Sequence, residues 1–222
     1  MNRRSINVNP DSWNRPDGST IKITSLNCAG LQAHFEDMKT DDKLLKADII
    51  HLVETSLKKE DNLENFNLEG YTKTFINIEK GKGIATYYDE TKFKIIEKIE
   101  MEKFQIIKLQ YDTLDIINLY RSQTGHSVEL LENLRNIIET KRTTIITGDF
   151  NICFMENFNN RLIQGLLTEG FEQLVSEPTH IRGRHIDHIY YLDASDTFKV
   201  HIDRYSPYYS DHDGILISLT KN

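Results

Sequence analysis

Only two cysteines, Cys28 and Cys153, occur in the 222 residues. A disulfide scaffold is thereby excluded, and an intracellular, reducing compartment is expected. No apolar run approaches the roughly 18 residues that a transmembrane helix needs, so no membrane association is expected. Residues 1–19 are polar and lack the apolar stretch of a signal peptide. Basic excess is missing too: the net charge is −7, which argues against a nucleic-acid coat protein. It leaves open an enzyme acting on nucleic acid, because bound cations restore charge locally around acidic ligands. No Cys/His spacing of a zinc site is present, and there is no internal repeat, low-complexity block or linker.

What is present is ordinary globular composition, 38% hydrophobic and 27% charged. Alternation or β-branched runs predict strands over 21–26, 48–53, 83–88, 93–97, 104–110, 114–120, 143–147, 186–191, 200–203 and 215–219. Helices are predicted over 35–46 and 162–168, and a third begins after Ser127. There Ser127 reads as the N-cap, with Leu130, Leu131, Leu134, Ile137 and Ile138 on one face. Some strands are separated by helices and others are joined as hairpins. That mixture predicts two sheets packed face to face with helices outside. The absence of a linker predicts one domain over 21–222, preceded by a polar tail or loose first strand over 1–20.

The strands stop on polar residues. Asn27, Glu54, Tyr120, Asp149, Asn151, Asp187, Asp211 and His212 all lie at or just past strand ends. A single Asp or Asn there is more often a turn residue than a ligand. An ordered set of eight is different, because loops at one end of a sheet sandwich lie together. Carboxylate and amide oxygens are hard ligands that suit Mg²⁺ or Mn²⁺. A carboxylate–imidazole pair can orient a general acid or base. Such a cleft is suited to phosphate-ester hydrolysis. Cys28 and Cys153 read as small buried residues behind the site. His180 and His188 read as structural or substrate-lining. Tyr208 and Tyr209 either stack on a base or pack beneath the Asp211 loop.

The stretches Ser25-Leu26-Asn27-Cys28-Ala29-Gly30-Leu31, the segment from Ala47 to Thr55 with Glu54, Asn118-Leu119-Tyr120-Arg121-Ser122, Gly148-Asp149-Phe150-Asn151, Thr179-His180 leading to Ile186-Asp187-His188-Ile189, and Tyr209-Ser210-Asp211-His212-Asp213 occur in this order. In this the chain resembles the endonuclease/exonuclease/phosphatase superfamily, the DNase I-like group. The resemblance implies an α/β four-layer sandwich, two mainly antiparallel sheets flanked by helices, and divalent-metal hydrolysis of phosphoesters with Mg²⁺, for which Mn²⁺ would substitute. It implies Glu54 as principal metal ligand, supported by Asn27 and Asp211. Asp149 would position and deprotonate the attacking water, Asn151 would orient it, Asp187 would pair with His212 at the phosphate, and Tyr120 would stabilise that phosphate from the other side. Ala29 departs from the pattern: many abasic-site endonucleases of the group carry Asp there, so one acidic contact is missing.

Arg121, Arg182 and Arg184 neighbour these residues and are expected at flanking substrate phosphates, and Arg121, Arg184 and His180 are the expected substrate-binding residues. The compact motifs look like endonuclease domains of non-LTR retrotransposons and related mobile-element or viral proteins, which suits a domain of a longer polypeptide. The leading expectation is an endonuclease nicking DNA. The alternatives are a phosphatase or phosphodiesterase on a smaller phosphoester (a phosphoinositide, a nucleotide or a tyrosyl-DNA adduct) and an inactive nucleic-acid-binding module.

Overall fold

The computed structural model describes residues 20–76, 82–194 and 196–222; the expected tail over 1–19 lies outside them. Two six-stranded sheets carry the chain. The first contains β1 (Thr20–Asn27), β2 (Ile49–Val53), β3 (Thr72–Ile76), β4 (Ile84–Tyr88), β11 (Phe198–Tyr205) and β12 (Gly214–Lys221), in the order β11-β12-β1-β2-β4-β3. The second contains β5 (Lys94–Glu100), β6 (Phe104–Tyr111), β7 (Leu114–Arg121), β8 (Thr143–Asp149), β9 (Glu172–Gln173) and β10 (Asp187–Leu192), in the order β5-β6-β7-β8-β10-β9. Each sheet is antiparallel except for one central parallel pair, β1 with β2 and β7 with β8.

Parallel neighbours need a crossover, and helices supply it. Helices α1 (Leu31–Met38) and α2 (Asp42–Leu45) link β1 to β2, and α3 (Ser127–Ile137) links β7 to β8. Helix α4 (Arg161–Thr168) packs beside α3, where Gly165 leaves room for Leu131: a Cβ there would lie 2.3 Å from its Cδ2.

Three apolar cores follow from strand alternation. Ile23, Ile49, Ile116, Ile145 and Ile217 fill the space between the sheets. Leu26, Ile50 and Leu52, from the opposite face of the first sheet, meet Leu31, Phe35 and Leu44 of its helices. Ile117, Leu119 and Ile146 do the same with Leu130, Leu134, Leu162 and Leu166 on the second. The result is the four-layer α/β sandwich expected from the sequence.

Four local expectations are corrected. The helix expected over 35–46 is two helices starting earlier, at Leu31, because Asp41 accepts a hydrogen bond from the Lys43 amide (2.9 Å) and caps a new helix. Ser127 is the first helical residue of α3; His126 occupies the cap position and makes no side-chain cap bond. Strand β3 was not expected. It is an edge strand, buried only at Phe75 and Ile76, so its alternation is weak. Strand β9, two residues long, also escaped the periodicity.

Candidate active site

Parallel strands end at the same rim, and ligands in α/β sheets gather there. Here two such rims face each other. The first sheet contributes Asn27 and Glu54 from the ends of β1 and β2; the second contributes Tyr120 and Asp149 from β7 and β8. Strand β10 runs antiparallel to β8 and starts there, with Asp187 opposite Asp149. Strand β12 is antiparallel to β1, which brings the loop before it, with Asp211 and His212, to the same end.

The backbone is bent tightly at both rims. Glu54 has φ 55° and Asn151 φ 51°, a left-handed conformation that costs a non-glycine residue on the order of 1–3 kcal/mol. Gly148, at φ 143°, sits against β7: an added Cβ would fall 1.8 Å from the Leu119 carbonyl oxygen. Only glycine lets β8 approach so closely one residue before Asp149.

The polar side chains form one network. The Asn27 amide donates to Asp149 Oδ2 at 3.0 Å and also bonds the Glu54 carboxylate, which takes a second bond from Tyr120. Asn27 Oδ1 accepts from the Ala29 amide at 3.1 Å, which fixes the orientation of the side chain. Asp149 further accepts from the Asn151 amide (2.8 Å) and from Asn151 Nδ2 (3.3 Å), while that Nδ2 also donates to the Arg121 carbonyl at 2.9 Å. Asp187 Oδ2 accepts from His212 Nδ1 at 2.8 Å and from Thr179 Oγ1 at 2.6 Å. Ser210 Oγ donates to the Asn27 carbonyl at 2.7 Å and accepts from the His212 amide at 3.0 Å, tying the histidine loop to β1.

The electrostatics are unbalanced. Asp149 is 1% exposed. Burial, with the charges of Asp187 and Glu54, pushes its carboxyl well above the usual range against the opposing pull of His212. Burial likewise raises Glu54, against hydrogen bonds from Asn27 and Tyr120 and the charge of His212. For His212, burial disfavours the imidazolium; the hydrogen bond and charge of Asp187, with Asp149 and Asp211, outweigh it and lift the pKa to about 9. Three carboxylates therefore share one imidazolium. Ligand atoms of Asp149, Asp187 and His212 lie within 4.8 Å of one another, close enough to share a cation.

Of the residues singled out in the sequence, Asn27, Glu54, Tyr120, Asp149, Asn151, Asp187 and His212 meet in this network. Asp211 stands at its rim, 3.3 Å from His180 Nε2 and half exposed. His180, itself mostly buried, accepts from the Arg182 amide at Nδ1 and packs edge-on against His212, so it braces the rim. Arg184 is half-buried, with no side-chain ion pair among the described residues. Arg121 is different. It is 6% exposed and turned inward, donating to the Phe150 carbonyl at 3.2 Å and to the Gly125 carbonyl, so its guanidinium braces the loop rather than facing an open phosphate position.

Cys28 and Cys153 are both buried, and burial pushes the Cys28 thiol up to about 12. His188 is fully buried and stacks on Phe150. Tyr209 packs against His34 and bonds Asp41, while Tyr208 is exposed. Thr179 and Ser210 were missed as supports. Both lay inside the motif stretches, but a hydroxyl's partner depends on a fold contact.

A model of the Endonuclease/Exonuclease/phosphatase family matches residues 24–212. No curated protein matches the chain in sequence. An AP endonuclease from Archaeoglobus fulgidus superposes with a TM-score of 0.70 at 16% identity, over 89% of this chain and 98% of that one. The endonuclease domain of TRAS1, a telomere-specific non-LTR retrotransposon, gives 0.67 at 13% identity, over 91% and 99%. The 3′ phosphatase NExo from Neisseria, bound to a product DNA hairpin, gives 0.68 at 17% identity, over 91% and 99%. At these identities the likeness is one of fold.

Proposed function

We propose, from the premise that this chain belongs to the endonuclease/exonuclease/phosphatase family, that it is a divalent-cation-dependent phosphodiesterase that nicks DNA. The observation that carries the reading is the charge imbalance: Glu54, Asp149 and Asp187 crowd one buried network with His212 as their one imidazolium partner among the described residues. Raised carboxyls at Asp149 and Glu54, in a strained polar rim, are what a cation-assisted site needs. The donors fit a hard cation, since Glu54 and Asp211 offer only carboxylate oxygens and the nearby Cys28 keeps its proton. Glu54 and Asp211 would hold Mg²⁺, with Mn²⁺ as a substitute, and Asn27, whose Nδ2 faces Asp149 and Glu54, would support the neighbouring carboxylate. When bound, the cation neutralises charge developing on the phosphoryl oxygens.

The chain's own groups divide the remaining work. Asp149, held by Asn27 and Asn151, takes the proton from the attacking water. Asp187 holds His212 through Nδ1, which leaves Nε2 to donate to a phosphoryl oxygen as an imidazolium. Tyr120 donates from the opposite side. Arg184 and the exposed Arg182 offer cations to flanking phosphates. The nucleic-acid reading is supported by the DNA-bound structure of the Neisseria 3′ phosphatase, which shares this fold.

Incubation with supercoiled plasmid in MgCl₂, and in EDTA, tests the proposal. Nicked circles are expected in Mg²⁺ and none in EDTA. Full activity in EDTA would refute the metal role. An intact plasmid beside phosphate released from a small ester would replace the nuclease reading with the phosphatase one.

A further inference from the structure

Two residues behind the catalytic rim, the space between the sheets turns polar. On β1, β7 and β8 the inward positions before Asn27, Tyr120 and Asp149 are Ser25, Asn118 and Thr147, and on β2 the corresponding position is His51. His51 is paired in register with Ser25 on one side and Thr86 on the other; Asn118 is paired with Thr147. The two rows meet across the interface. Asn118 Nδ2 donates to Thr86 Oγ1 at 3.2 Å and to the Ala85 carbonyl at 3.1 Å, and β2 packs against both β7 and β8.

Four further polar atoms of this layer have no hydrogen-bond partner among the described residues. Both ring nitrogens of His51, Thr147 Oγ1 and Asn118 Oδ1 are fully buried and unbonded among the described residues. His51, Asn118, Thr147 and Thr86 are each 0% exposed. Buried polar atoms are rarely left unsatisfied. Apolar walls would leave a void dry, but a polar one with two to four partners holds water. A neutral imidazole offers one donor and one acceptor, a hydroxyl one donor and two lone pairs, and an amide oxygen two lone pairs. These complement a bridging water, and in the structure none of the four atoms hydrogen-bonds to another.

We propose that the sandwich contains an internal hydration site, in which water bridges His51 to Thr147 and Asn118 across the two sheets directly behind the catalytic rim. The ligand is water, held by neutral side chains. Burial keeps His51 neutral throughout the physiological range, with its pKa pushed down to about 3, so occupancy does not change between pH 5 and pH 9. The proposal stands whether or not the protein is a nuclease.

A crystal structure at about 1.5 Å tests it together with water-to-imidazole cross-relaxation measured on ¹⁵N-histidine-labelled wild-type protein. Ordered water within hydrogen-bonding distance of a His51 nitrogen and of Thr147 Oγ1 or Asn118 Oδ1 is expected, with a matching water cross-peak at His51. Thr147→Val and His51→Leu should each fold and lose that water. A dry interface, with the His51 ring bonded directly to Thr147, overturns the proposal. If the variants do not fold, the two wild-type measurements still decide it.

Discussion

The second sheet carries two buried aspartates at opposite ends of its parallel pair, and they are treated in opposite ways. Asp115, near the start of β7, is 0% exposed and meets two cations: Lys108 Nζ at 2.6 Å and Arg142 Nε at 2.6 Å. Lys108 also donates to the Ile137 carbonyl at 2.7 Å, pinning the end of α3 to the sheet. Asp149, at the end of β8, is as deeply buried, yet forms no ion pair with lysine or arginine among the described residues; it shares one imidazolium with Glu54 and Asp187. Burial of charge by itself therefore does not mark the working end of the sandwich. Asp115 has been given more cations than it needs and acts as a staple. The rim of Asp149 has been left short of positive charge, which is the condition for recruiting it from outside.

Substitution at each end should separate the two. Asp115→Asn removes the buried carboxylate between Lys108 and Arg142, leaves Lys108 only the longer pair with Glu139 (3.6 Å), and should cost about 3 kcal/mol of stability, the low end for breaking a buried ion pair. Urea unfolding would show it, and turnover per folded molecule should be unchanged. A loss below about 1 kcal/mol would break the distinction. Asp149→Asn should do the reverse. Turnover should fall by ~10²-fold or more, about 2.7 kcal/mol in the barrier, with little change in stability, because one of three crowded carboxylates is removed. Single-turnover nicking beside urea unfolding of the same variant checks both halves.

A pH titration sharpens the comparison. In the metal-free protein, the folded-state pKa of His212 is raised from 6.5 to about 9, and that of Asp149 is raised as well. A raised pKa means that folding favours the protonated form. The stabilisation from His212 is therefore complete below pH 6.5 and disappears as pH rises through 9. In EDTA the protein should lose on the order of 3 kcal/mol between these limits. His212→Gln should flatten that loss, and Asp115→Asn should not. Thermal melts across the range would measure it.

The smallest effect concerns the two arginines. Arg184→Ala should weaken DNA binding a few-fold and lower the log–log salt slope by about 1, with saturated turnover kept. Arg121→Ala should leave the slope unchanged and lower stability instead, since its guanidinium braces the Phe150 and Gly125 carbonyls. Equal salt slopes for wild type and Arg184→Ala would remove Arg184 from the phosphate path.

Most strands were legible because central strands covered on both faces, such as β2, β7 and β8, collect apolar and β-branched residues in short runs. Strand β3 escaped because an edge strand buries little. The site was legible as a set, because polar residues recur where apolar strands stop. Its members could be collected without knowing who bonds whom. Side-chain direction was not legible in the sequence: Arg121 sits next to Tyr120 in the chain yet points inward, and His180 turns its Nε2 to Asp211.

The amino-acid sequence by itself determined the periodicities, the ordered polar strand ends and the acidic charge, because these are local or additive properties of residues. Tertiary structure alone decided the pairings. Asn27 meets Asp149 across 122 positions, Ser210 reaches the Asn27 carbonyl across 183, and Thr179 supports Asp187 beneath His212. The first of these exists only once the two sheets have stacked rim to rim, the second once β12 has paired with β1, and the third once the loop before β10 has folded back on it. The same stacking buries Asp149 with Asp187 and Glu54, and burial makes their mutual repulsion strong enough to raise a carboxyl pKa.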